Sequence, residues 1–207
     1  MARKILTVAL MLLGMQLSTQ AVAQSGVSAA TCMGCHGAQG FPLGPTIPVI
    51  HGQHFYYLYV QLKDYNSGLR ANPIMSAMVA DLSRDDMKVL SQMFSEAVWP
   101  NMGFSASEDQ VSAGEKALVS GQCVQCHRGG FEGDSRVPRL AGQQVEYLEK
   151  TMQDFKNKVR LNSPAKSALL GAYSNEEIRA MAEYLADLWR VILGDGWGFG
   201  RKRCCLQ

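Results

Sequence analysis

Cys32-Met33-Gly34-Cys35-His36 returns later in the chain as Cys123-Val124-Gln125-Cys126-His127. Both stretches read C-x-x-C-H, the spacing at which a c-type haem is attached. Two thiols add across the two vinyl groups of one porphyrin, so they must stand about one helical turn apart. The adjoining His then lies under the iron and supplies its proximal nitrogen. A single copy would also suit a redox dithiol, a disulfide or half of a zinc site. Two copies, each followed by His, favour haem, because paired zinc-binding Cys-x-x-Cys units stand about 15–20 residues apart. Here 87 residues separate Cys35 from Cys123 (123 − 35 − 1). The expected cofactors are two covalently bound haem c groups. Cys32, Cys35, Cys123 and Cys126 would attach them, and His36 and His127 would be the proximal ligands.

The N-terminus agrees with that chemistry. Ala2-Arg3-Lys4 precedes an apolar run from Ile5 to Leu17 and the triplet Ala21-Val22-Ala23. A basic start, an apolar core and an A-x-A end describe a secretory signal peptide over residues 1–23. The run is too short for a membrane span. Cleavage after about Ala23 would leave 184 residues (207 − 23). Export suits C-x-x-C-H, since c-type haem is attached outside the cytoplasm, and it argues against a cytosolic thiol enzyme. Loss of Arg3 and Lys4 leaves 18 basic residues (20 − 2) against 18 acidic ones. A balanced charge without a basic patch gives no sign of a nucleic-acid partner, and no further apolar stretch suggests a membrane span.

The two motifs belong to an internal repeat. Cys32 and Cys123 lie 91 apart (123 − 32), and the lag then becomes 90. Pro48-Val49-Ile50-His51-Gly52-Gln53 faces Pro138-Arg139-Leu140-Ala141-Gly142-Gln143. Phe55, Leu58, Leu62 and Tyr65 face Val145, Leu148, Met152 and Phe155, one apolar helical face in each half. Arg70 faces Arg160. The lag returns to 91 where Ser83-Arg84-Asp85-Asp86 faces Ser174-Asn175-Glu176-Glu177, two capping boxes. Met87, Leu90, Phe94 and Ala97 line one following helix; Ile178, Met181, Leu185, Leu188 and Trp189 line the other. No alternating strand pattern competes, so the expected class is all-α. The repeat divides the chain into a first haem domain over 24–100, a linker over 101–109 and a second haem domain over 110–194. The glycine-rich, then basic tail over 195–207 is expected not to pack. Its Cys204-Cys205 pair resembles a prenylation box, which an exported protein would not use.

The halves differ where a distal ligand is expected. Met75, in Pro73-Ile74-Met75-Ser76, lies eight residues before Ser83 (83 − 75) in a stretch read as an irregular loop, with Met78 as its competitor. Thioether ligation favours ferrous iron and raises the potential. Lys166 stands eight residues before Ser174 (174 − 166), at the matching place. The second haem is thus left with Lys166, an open face or a ligand from elsewhere. A ligating Lys must lose its proton, which burial favours. A hard amine prefers ferric iron and would set a lower potential. His51 and His54 are expected at the surface or at a haem edge. Arg128 and Arg136, the cations nearest the second motif in sequence, fit an ordinary surface.

Taken together, these residues resemble a known family. Tandem C-x-x-C-H domains, a Pro-x-x-x-Gly-Gln segment, a Tyr-Leu-rich helix with a trailing Arg, a Met and a Ser-capped last helix look like cytochrome c4, over about Thr31 to Val191. The resemblance implies two class I cytochrome c folds about a pseudo-twofold axis, with Met75 as a distal ligand. It implies a periplasmic carrier of single electrons between a quinol-oxidising complex and a terminal oxidase, with at most loose membrane association, and not an enzyme. Lys166 departs from the family, which has Met there, and so bears on whether both haems act alike. The alternatives are an electron-accepting subunit of a periplasmic dehydrogenase, such as a thiosulfate dehydrogenase, or a protein whose open or Lys-ligated second haem binds a small ligand.

Overall fold

The computed structural model describes residues 28–188. The expected signal peptide, the end of the second domain and the tail with Cys204 and Cys205 lie outside the described residues. In chain order the helices are α1 (Ala29–His36), α2 (Phe55–Asn66), α3 (Pro73–Val79), α4 (Arg84–Glu96), α5 (Glu108–Ser120), α6 (Val124–His127), α7 (Val145–Lys156), α8 (Pro164–Leu170) and α9 (Asn175–Asp187). Among the described residues the only strand-like pairings are isolated bridges, Arg70 with Arg160 and Asp134 with Val137.

The repeat is a structural one. α2 and α7 start 90 residues apart (145 − 55), and α3 and α8, like α4 and α9, start 91 apart (164 − 73; 175 − 84). Each half has its own apolar core. Leu58, Tyr65, Val79, Leu82, Met87, Leu90 and Phe94 fill the first. Val145, Leu148, Met181, Ala182, Leu185 and Ala186 of the second pack with Ala117, Leu118, Phe131 and Ala141. The helical faces read from apolar spacing are buried or half-buried, save that Trp189 lies outside the described residues. Ser83 and Ser174 form the expected capping boxes, their side chains accepting from the Asp86 and Glu177 amides. Ser107 and Gln110 form a third, which starts α5 inside the stretch expected as linker. α5 crosses α9 closely at Gly114, where a Cβ would come within 2.3 Å of the Ala180 carbonyl oxygen.

The paired Gly-Gln segments hold the halves together. Gly52 and Gly142 adopt left-handed φ values of 69° and 72°. Their amides donate to the Phe94 and Leu185 carbonyls at 2.8 and 2.9 Å, tying each loop to its own last helix. The next residue, Gln, turns its side chain to the opposite half. Gln53 Nε2 donates to Arg139 O at 3.0 Å, and Gln143 Nε2 donates to Val49 O at 2.9 Å. Arg70 and Arg160 meet beside the same pseudo-axis, and Gln61 Oε1 accepts from both, at 2.9 and 2.7 Å. Asn162 Nδ2 donates to Asp64 Oδ2 of the first half at 2.7 Å.

Three expectations change. The stretches holding Met75 and Lys166 are short helices, each opened by a proline at its start (Pro73, Pro164), whose missing N–H costs nothing there. His51 is buried and so not at the surface, its ring edge-on to Phe94 at 5.2 Å, while the half-exposed His54 stays near the surface with Nε2 2.8 Å from Glu132 O of the other half. The connection between halves is partly interior: Trp99 is 5% exposed, packs on Val49 and lies under the Arg139 guanidinium at 4.8 Å.

Candidate functional site

Each C-x-x-C-H motif ends a helix. α1 carries Cys32, Cys35 and His36; Cys123 caps α6, which carries Cys126 and His127. The four thiols are free of disulfides. Burial pushes the Cys32 and Cys123 thiols up, while Cys35 and Cys126 are exposed. Among the described residues no three His, Cys, Asp or Glu side chains gather into a bare-metal site.

The two imidazoles are held alike. His36 Nδ1 lies 2.8 Å from Pro48 O, and His127 Nδ1 lies 3.0 Å from Pro138 O. A carbonyl can only accept, so Nδ1 carries the proton and Nε2 keeps its lone pair for a metal. Burial lowers the pKa of His36. Burial, with Lys166 adding to it, takes His127 down to about 4. Both rings are therefore neutral near pH 7, the form that ligates iron.

Met75 is the third residue of α3, and its amide donates to Asn72 Oδ1 at 2.9 Å. Its side chain packs on the same core cluster as Cys32 and Met33. Met78, about one helical turn along, is not among the side chains packed on that cluster. Lys166 is the third residue of α8. Its Nζ stands 5.3 Å over the Phe155 ring. Burial, helped by the nearby Arg160 and Arg70 charges, takes its pKa down to about 8, and Lys166 in turn lowers His127. Arg128 is paired with Asp134 at the surface.

The surroundings fit a porphyrin bearing carboxylates. Trp99 Nε1 and Arg139 Nη2 are buried N–H donors without a partner, and His51 Nδ1 is likewise unpartnered. Arg70 and Arg160 are buried, and among the described residues no carboxylate forms a salt bridge with either. Buried guanidinium and indole donors call for anionic or carbonyl acceptors. The residues that sequence reasoning missed are Trp99, Arg139 and the two glutamines. The repeated Pro-x-x-x-Gly-Gln segment was the signal that marked the latter.

Comparison with known proteins agrees with this geometry. The cytochrome c family model matches residues 111–189. Cytochrome c4 of Thiocapsa roseopersicina is 32% identical over 170 residues, spanning 76% of this chain and 86% of that one. The thiosulfate dehydrogenase electron acceptor of Stutzerimonas stutzeri (strain A1501) is 30% identical, over 84% of this chain and 86% of its own. The crystal structure of reduced recombinant cytochrome c4 from Pseudomonas stutzeri superposes with a TM-score of 0.70 at 28% identity, covering 77% and 94% of the two chains. The chain thus belongs to the cytochrome c4 family: two tandem class I cytochrome c domains, with two covalently bound c-type haems, in an electron-transfer protein that is not itself an enzyme.

Proposed function

We propose that Cys32 and Cys35 attach the first haem and Cys123 and Cys126 the second. His36 and His127 are the proximal ligands, Met75 is the distal ligand of the first haem and Lys166 that of the second. The observation that carries this is the matched pair of imidazoles, each tied through Nδ1 to a proline carbonyl and each leaving Nε2 free. The matching places of Met75 and Lys166 on α3 and α8, and the influence of Lys166 on His127, support the distal assignments. The separate cores support domains over 24–100 and 110–194 joined by 101–109.

Haem c, when bound, supplies a one-electron iron couple whose potential follows its axial ligands and surroundings. The Pro48 and Pro138 carbonyls orient the imidazoles and raise their basicity. The thioether of Met75 favours ferrous iron. The depressed pKa of Lys166 makes its neutral amine accessible, and that hard nitrogen favours ferric iron. The two sites therefore differ in potential, the second lying lower. The protein works in the periplasm, delivered there by its N-terminal signal, and carries single electrons from a quinol-oxidising complex to a terminal oxidase. Among the described residues no helix is long and apolar enough to cross a membrane.

A redox titration of the haem-loaded protein checks the ligand set. Two distinct midpoints are expected, and Lys166→Met should raise the lower one while leaving the other in place. Identical titrations of wild type and variant would remove Lys166 as a ligand. A second reading rests on the similarity to the thiosulfate dehydrogenase electron acceptor: this chain would accept electrons from one dedicated dehydrogenase. Reduction of the oxidised protein by a purified thiosulfate dehydrogenase, faster than by a quinol-oxidising complex, would favour it.

A further inference from the structure

The peptide groups that orient the two imidazoles are each gripped by the other half. The Pro48–Val49 peptide accepts from His36 at its carbonyl, 2.8 Å, and donates from its N–H to Gln143 Oε1, 2.9 Å. The Pro138–Arg139 peptide accepts from His127 at 3.0 Å and donates to Gln53 Oε1 at 2.9 Å. Each glutamine is 3% exposed and bonds through both its oxygen and its nitrogen. Its Oε1 also accepts from the following amide, His54 or Gln144, at 3.0 Å, and its Nε2 donates to the carbonyl of Arg139 or Val49. Two hydrogen-bonded chains therefore cross the pseudo-axis in opposite directions, each one peptide unit long.

We infer that Gln143 tunes the first haem and Gln53 the second, each glutamine acting on the iron of the half it does not belong to. The argument rests on the proximal roles given above to His36 and His127. Hydrogen bonds in series polarise one another, by about 10–30% per bond. An acceptor on the peptide N–H draws electron density onto its carbonyl oxygen. A more negative oxygen holds the Nδ1 proton more strongly and makes the imidazole a better donor through Nε2. Better donation stabilises ferric iron and lowers the potential. Loss of the acceptor reverses each step, so the potential of the opposite haem rises. Burial keeps water from replacing the glutamine. Both are positioning residues, since each acts through a peptide and an imidazole.

The test uses the full haem-loaded chain and follows each haem separately by its own hyperfine-shifted methyl resonances during redox titration. Gln143→Met should raise the midpoint of the haem on Cys32 and Cys35 at least twofold more than that of the other, and Gln53→Met should do the converse. Gln143→Glu and Gln53→Glu keep an acceptor oxygen and make it anionic; they should lower the opposite midpoint by the larger amount. The Glu pair decides the question should a Met variant fail to take up haem. Shifts that are equal in both haems, larger in the variant's own half, or absent would overturn the relay. Proximal imidazole resonances and haem-peptide mapping of the wild type separate the two levels. With His36 and His127 confirmed as ligands, an uncrossed result defeats the relay alone. If either is not a ligand, the ligand assignment falls and takes the relay with it.

Discussion

Gly52 shows how much one residue can decide. Its φ of 69° favours glycine, and a Cβ there would stand 2.8 Å from the Trp99 backbone nitrogen and 3.0 Å from the Ala97 carbonyl oxygen. Neither obstacle is a flexible side-chain end, so the backbone itself would have to move. Left-handed backbone costs a residue with a Cβ about 1–2 kcal/mol, and the clash adds to it. Gly52→Ala is therefore expected to destabilise the protein by about 2–3 kcal/mol, read from its denaturant midpoint. The glycine was visible in the sequence as one half of a repeated Gly-Gln pair. The direction of the glutamine beside it was not, because its partner lies 86 residues away in Arg139 and no local pattern encodes a bond across an axis. Lys166 was legible only through the repeat; on its own it would have passed as a solvated side chain.

Helices were the most readable level, and the failures among them have two causes. α4 and α9 run long enough for apolar spacing to show, and a Ser with an acid three residues later marks the start of each. α3 and α8 run for seven residues each, too short for a period to emerge, and only the leading prolines betray them. α5 hid its start because Ser107 falls within the Pro-, Gly- and Ser-bearing stretch expected as linker, where its role as a cap partnered by Gln110 does not stand out. The crossing of α5 on α9 supplies a second test. At Gly114 a Cβ would meet the Ala180 carbonyl at 2.3 Å and the Tyr184 Cβ at 2.5 Å. Glycine-to-alanine changes inside exposed helices usually help by about 0.5–1 kcal/mol. Here Gly114→Ala should instead cost about 1–3 kcal/mol as the helices are pushed apart. Thermal unfolding of the second domain is the measurement, and a gain in stability would show that the two helices can separate freely.

At the scale of the whole molecule the interface is unusual in gathering two arginines and several tyrosines. Arg70 Nη2 donates to Tyr147 Oη at 3.0 Å. Burial opposes ionisation of Tyr147, but the Arg70 and Arg160 charges outweigh it and bring the hydroxyl down to about 7. Tyr57, half-buried beside it, is pushed the other way by desolvation and by Tyr147. An unfolded tyrosine ionises near pH ~10. Because the folded pKa lies below that, the interface gains stability as pH rises above 7 and loses the gain as pH falls back through 7. The difference in unfolding free energy between wild type and Tyr147→Phe should widen by on the order of 1–2 kcal/mol from pH 7 to 9. A constant difference across that range would show that Tyr147 stays protonated. None of this could be read before folding, since Tyr57, Tyr147 and both arginines meet only when the repeats face each other.

Trp99 bears on how the molecule works in time. The stretch joining the domains is wedged beneath Arg139 and against Val49, so it acts as a splint and not as a hinge. Electron exchange between the two halves then has no reorientation to wait for. Thickening the solvent with glycerol should slow encounters with external donors and acceptors while leaving the intramolecular rate where it was.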